Sequence, residues 1–108
     1  MLDYKIYLNQ IKEMIKKIED TTKEVSKEEF FKDINLSDST ILRLQVIGES
    51  IKSVPYEIKK INKQVKWMVF SKIRDFISHK YAQIDLNIIW NFVQNKIPEL
   101  KSQINSVK

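Results

Sequence analysis

A chain of 108 residues with one Gly and two Pro has few places to make a tight turn. Strand-to-strand hairpins draw on Gly, Asn or Asp where the backbone needs positive φ, so a sheet-rich fold is disfavoured and helices joined by short links remain. The apolar positions agree. From residue 2 to about 23, Leu2, Ile6, Ile11, Met14, Ile15 and Ile18 recur at helical spacing. Ser26 with Glu29 makes a capping box that opens a short helix carrying Phe30 and Phe31. Ser37 or Asp38 is positioned to cap a third helix through Ile41, Leu44, Ile47, Ile51 and Val54, which Pro55 ends. A fourth is expected over roughly 64 to 78, with Trp67, Phe70, Ile73 and Ile77 inward. Asp85 caps a fifth that carries Leu86, Ile89, Trp90 and Val93, and Pro98 predicts a kink or break before Leu100, Ile104 and Val107 resume the stripe. Trp67 and Trp90 read as core residues.

This length makes one domain, residues 1–108, all-α, large enough to bury about two-thirds of its unfolded surface. Without Cys there is no disulfide, thiolate metal site or cysteine nucleophile, and with a single His no imidazole cluster can hold a metal. No apolar run approaches the roughly 20 residues of a membrane span. The opening MLDYKIYLNQIKE carries charges through its apolar positions, unlike a signal peptide, so a soluble, cytoplasmic protein is expected.

Chemistry concentrates in RDFISHKY, residues 74 to 81, which holds the only histidine, His79, one of two arginines, Arg74, and then Tyr81. Imidazole exchanges a proton near neutral pH, and guanidinium grips phosphate through a rigid fork of donors. A general base beside a phosphate clamp is enough to cleave RNA without a metal. The charge supports a polyanion partner: residues 59 to 80 carry a net +6, from Lys59, Lys60, Lys63, Lys66, Lys72, Arg74 and Lys80 against Asp75, and the rest of the chain sums to −1. Lys66, Lys72 and Lys80 are the candidate RNA contacts. The bland alternative is a solvated Lys-rich helix with Arg74 in a surface ion pair.

Geometry constrains the pair. At about 100° per residue, His79 points about 140° away from Arg74 on an unbroken helix, whereas Tyr81 shares the Arg74 face. Convergence on one phosphate needs the helix to end near Ser78, or a second copy related by a two-fold axis. Gly48, inside the third helix, costs about 1 kcal/mol relative to Ala, which points to a close helix–helix approach. A homodimer is therefore expected, with contacts that include the 41–54 and 64–81 helices.

The order EEFFKD, RLQVIGESIK at 43 to 52, KIRDFISHKY at 72 to 81, IDLNIIWNFV at 84 to 93 and IPEL at 97 to 100 resembles the HEPN family, in the branch of toxins paired with minimal nucleotidyltransferase (MNT) antitoxins. The resemblance spans about residues 28 to 104. It implies an antiparallel four- to five-helix bundle, a homodimer with a composite cleft at its interface, and metal- and cofactor-independent RNA cleavage by Arg74 and His79. Asp75 fits the polar residue that often follows the arginine, and could orient a ring nitrogen or hold Arg74; Ser78 is a weaker supporting candidate. Tyr81 matches the position to which the antitoxin transfers AMP. FSKIRD departs from the Met-Arg-Asn run common in the branch, which leaves cleavage rate and substrate choice open. The alternative function is a non-catalytic HEPN module that assists a nucleotidyltransferase partner in binding nucleotide or substrate.

Overall fold

The computed structural model describes residues 3–80 and 83–107, and for Lys80 the backbone only. The expectations placed on Leu2, on Tyr81 and on the Lys80 side chain lie outside the described residues. Among those described the fold is all-α, as expected, with seven α-helical segments: α1 (Lys5–Thr22), α2 (Lys27–Lys32), α3 (Ile34–Ser53), α4 (Tyr56–Ile61), α5 (Trp67–Lys80), α6 (Leu86–Asn91) and α7 (Ile97–Ile104).

The long helix α3 is the centre of the bundle, packed against both α1 and α5. Hydrogen bonds fix α1 and α3 as antiparallel: Ser50 Oγ meets Gln10 Oε1 at 2.9 Å, and Arg43 reaches Thr21 Oγ1 at 3.2 Å, so rising numbers on one helix face falling numbers on the other. One core joins the helices, with Ile11, Ile18, Phe30, Leu44, Ile47, Ile51, Phe70, Ile89 and Leu100 fully buried. Each such side chain contributes about 1.5–3 kcal/mol relative to exposure. Trp67 is buried and donates its indole N–H to the Asn62 carbonyl at 3.0 Å. Trp90 is half-buried, its ring 5.1 Å from that of Phe30.

Several boundaries differ from expectation. Ile6 is exposed; the stripe of α1 that faces the core is Leu8, Ile11, Ile15, Ile18 and Thr22, from which Ile6 is turned about 200° at Leu8. The capping box of α2 is present, with Ser26 and Glu29 exchanging backbone hydrogen bonds of 3.0 and 3.1 Å. Neither Ser37 nor Asp38 caps α3. Asp33 does, accepting from the Leu36 N–H at 3.0 Å, and Ser37 lies buried inside the helix, donating back to Ile34. Asp33 serves because it stands directly before the apolar run, and the polar look of INLSDST concealed a helical first turn.

Pro55 does end α3, but it also opens α4, a short helix absent from the sequence reading because it buries no residue. The next helix accordingly starts at Trp67, not 64. At Pro98 the rod does not break. A π-helical turn, Phe92–Lys96, precedes α7, and Ile97 N–H bonds back five residues to Phe92. The proline ring cannot sit against the carbonyl four residues earlier, and the wider turn carries the chain past that clash.

Gly48 is a close-approach point, and its partner is inside the chain. A Cβ built there would stand 2.4 Å from the Cβ of Arg74. The glycine therefore lets α3 cross α5 at the candidate catalytic arginine, and gives no support of its own to a dimer contact.

Candidate active site

Helix α5 carries Arg74, Asp75, Ser78 and His79, with Lys72 exposed on it and Lys66 exposed just before it. It runs unbroken to Lys80, so it does not end near Ser78. Nothing between residues 67 and 80 could stop it, since the single Gly and both Pro lie elsewhere. Arg74 and His79 thus stand about 7.5 Å apart along one axis and about 140° apart around it. A single chain does not turn both onto one phosphate by ending the helix between them.

The ring of His79 is exposed and oriented. Its Nδ1 lies 2.7 Å from the backbone carbonyl of Asp75. A carbonyl only accepts, so Nδ1 carries the proton and donates it, which leaves the Nε2 lone pair of the neutral imidazole open to solvent. That is the tautomer a general base needs. Ser78 is exposed, and its hydroxyl makes no hydrogen bond among the described residues.

Arg74 has the opposite setting. Pressed against Gly48, its side chain keeps 36 % of its exposure and sits in a cluster of alternating charge. Its Nε is 3.8 Å from Glu49 Oε1, too far for a hydrogen bond, and this buried N–H has no hydrogen-bond partner among the described residues. One terminal nitrogen lies 3.4 Å from Asp75 Oδ1. That carboxylate is held more tightly by Lys52 of α3, at 2.6 Å. The Lys52 hydrogen bond, with the charges of Lys52 and Arg74, holds the Asp75 carboxyl below its usual range against the opposing pull of burial. Asp75 therefore works through two groups: its carboxylate braces Lys52 and Arg74, while its backbone carbonyl, not its carboxylate, orients the imidazole.

Comparison with known proteins supplies the lineage. Residues 11–107 match the family described as Ribonuclease HepT-like. Over 102 residues the chain is 40% identical to "Gamma-glutamylcyclotransferase and putative RNase" of Methanocaldococcus jannaschii, covering 94% of this chain and 46% of that protein. It is 31% identical over 105 residues to "Probable ribonuclease HepT" of Thermococcus cleftensis, covering 97% and 96% of the two chains. A "Putative RNase" of Caldanaerobacter subterraneus subsp. tengcongensis is 31% identical over 101 residues, 94% of this chain and 90% of that one. No solved structure matches. The chain belongs to the HepT-like ribonuclease family.

The HepT-like match takes in both helices of the crossing and everything that shapes the site among the described residues. Glu49 and Lys52 were missed as site residues in the sequence, although both fall in the RLQVIGESIK run. The signal was available: they stand one and four positions after Gly48, so a helix that brings Gly48 onto Arg74 brings both charges to the same neighbourhood. Within this HepT-like chain no group of three His, Asp or Glu side chains suited to a metal occurs among the described residues. No described helix is long and apolar enough to cross a membrane.

Proposed function

We propose that this chain is a cytoplasmic, metal-independent endoribonuclease, the toxin of a HEPN/MNT pair, acting as a homodimer of single-domain subunits. The observation that carries the reading is the tethered imidazole, with Nδ1–H committed to Asp75 and Nε2 open, on the helix that also holds Arg74. Neutral Nε2 takes the proton of a ribose 2′-hydroxyl as that oxygen attacks the adjacent phosphorus. The P–O5′ bond breaks, the 5′-oxygen leaves and is protonated, and the ends are a 2′,3′-cyclic phosphate and a 5′-hydroxyl. Arg74 stabilises the extra negative charge on the five-coordinate phosphorus. Each contribution is worth on the order of 10²–10⁴-fold in rate.

The divergence of the two side chains on one unbroken helix supports a composite site, in which a second copy turns its own α5 toward the first. Lys66, Lys72 and Lys80 would supply further phosphate contacts, and Ser78 is kept as a supporting hydroxyl. Silencing would come from an MNT-type nucleotidyltransferase that attaches AMP to Tyr81, adding bulk and a phosphate charge that repels incoming RNA. The decisive experiment incubates purified protein with single-stranded RNA in EDTA and determines the product ends by mass spectrometry. Cyclic phosphate ends that vanish with His79→Ala or Arg74→Ala, each still folded, are expected. Loss of cutting on chelation, or 5′-phosphate ends, would show the mechanism to be wrong. A folded wild-type protein that cuts no RNA would favour the non-catalytic binding module.

A further inference from the structure

Four lysines gather at the opposite end of α5 from His79. Between α4 and the start of α5 runs a groove of about 610 Å³, lined by Tyr56, Lys59, Lys60, Lys63, Lys66 and Met68 among others, and no carboxylate lines it. Tyr56, Lys59 and Lys60 share one face of α4 at helical spacing, and Lys63 stands in the turn that follows it; all four line the groove. Tyr56 and Met68 are 72% and 71% exposed, although both are large and able to pack.

Lys16 pairs with Asp20, Lys17 with Glu13, Lys52 with Asp75, Lys96 with Glu99 and Lys101 with Glu19, while Lys12, Lys23 and Lys72, among others, form no ion pair with a described residue. Among the described residues none of the four groove lysines forms an ion pair. The Lys59 ammonium is pushed below its usual range, first by burial and then by the charge of Lys52. An anion seated in the groove would relieve that repulsion.

We propose that this groove binds single-stranded RNA, its lysines holding the phosphates while Tyr56 and Met68 pack against bases. Uncompensated cations beside an exposed aromatic ring are the two components of a single-strand platform. The direction of α5 supplies a further reason. Met68, Lys72, Asp75 and His79 stand at intervals of four, three and four residues, so they share one face of the helix over about 16 Å. A strand anchored in the groove and following this face would meet Lys72 and then Asp75, whose carboxylate Lys52 pairs, before His79. An acidic protein partner docked on the groove would have no use for that continuity. The inference rests on the ribonuclease reading for its purpose, though not for the binding itself.

The test is fluorescence anisotropy of a labelled single-stranded RNA over a salt series. Wild type is compared with the double variant Lys59→Gln/Lys63→Gln, with Tyr56→Ala, and with the charge-matched control Lys12→Gln/Lys23→Gln on and beside α1. The groove variants should weaken binding about tenfold, and the double variant should flatten the salt slope by about 1.4, two contacts at about 0.7 each. Lys59→Arg/Lys63→Arg should bind as wild type does, which separates lost charge from a damaged fold. In cleavage, the double variant should raise KM for long RNA and leave a dinucleotide substrate unaffected. Equal weakening by groove and control variants would reduce the effect to net charge and overturn the proposal. So would unchanged RNA affinity in groove variants that lose a co-purifying protein, which would make the surface a protein dock. If groove variants lose RNA while wild type cuts none, the groove stands and the ribonuclease reading falls.

Discussion

The α3–α5 crossing and the α4–α5 elbow draw on one basic segment and treat its charge in opposite ways. At the crossing, Gly48 brings two helices so close that Arg74 is half-buried, and Glu49, Lys52 and Asp75 surround it with alternating charge. At the elbow, α4 fully buries no residue, and its lysines, Lys59 partly covered and Lys60 exposed, form no ion pair with a described residue. Packing fixes a side chain where geometry matters, and its charge must then be balanced locally. Leaving charge solvated keeps it available to attract a polyanion over a distance, at the cost of screening by salt. His79 joins the two regimes, since its ring is exposed like the lysines yet tethered like the arginine.

The sharpest way to separate these regimes is to remove one functional side chain from each setting. His79→Ala should lower RNA cleavage by about 10²–10⁴-fold and leave stability within about 0.5 kcal/mol, as expected of an exposed group. Arg74→Ala should lower cleavage comparably and also lower the melting temperature, because it removes a packed side chain from the crossing. Equal stability of the two variants, by thermal denaturation, would erase the distinction.

Gly48→Ala comes next. The new methyl meets Arg74 at 2.4 Å, and the obstacle is a Cβ bound to backbone, so α5 must shift. Overpacking of this kind costs about 1–3 kcal/mol, offset by about 1 kcal/mol of gained helix propensity. A net loss of up to about 2 kcal/mol with reduced cleavage is expected, and a variant as active as wild type would show that the crossing tolerates slack.

A smaller effect should appear in acid. The folded-state pKa of Asp75 is lowered, chiefly by Lys52, so its contribution is complete above the unfolded value of about 3.9 and fades as pH falls through the lower folded value. Lys52→Met should therefore lower stability slightly at neutral pH, where the brace is complete, and flatten the stability–pH curve below about pH 4, so that variant and wild type converge in acid. Denaturant titrations at a few pH values check it; parallel curves for wild type and variant would contradict the brace.

The smallest effect on the fold belongs to the elbow. Lys63→Gln should change stability by less than about 0.5 kcal/mol while lowering the salt slope of RNA binding by about 0.7. Denaturation alongside anisotropy tests both parts.

Much of this was legible in the sequence, because turn-poor composition and helical periodicity act locally. The Ser26–Glu29 box, the Asp85 cap, which accepts from Asn87 N–H at 2.8 Å, and the stop at Pro55 all stand as read. What escaped depends on three dimensions. Helix α4 buries nothing and so leaves no apolar stripe. The π turn before Pro98 is a compromise between a proline and a rod that stays packed. The site divides in the same way. Arg74, Asp75 and His79 are close in sequence and were visible as a run, whereas Glu49 and Lys52 reach the arginine only because Gly48 lets two helices touch. The role of the Asp75 carbonyl was hidden behind its more conspicuous carboxylate.

In the proposed composite site, the unbroken α5 splits Arg74 from His79 and two copies restore the pair. Mixing inactive Arg74→Ala and His79→Ala subunits after reversible denaturation tests this directly. If each site takes its arginine from one copy and its histidine from the other, half of the random dimers regain one of two sites, and cleavage should return to about a quarter of wild type. If mixing restores nothing while wild-type subunits refold to full activity through the same steps, the pair acts within one chain and the composite site is wrong.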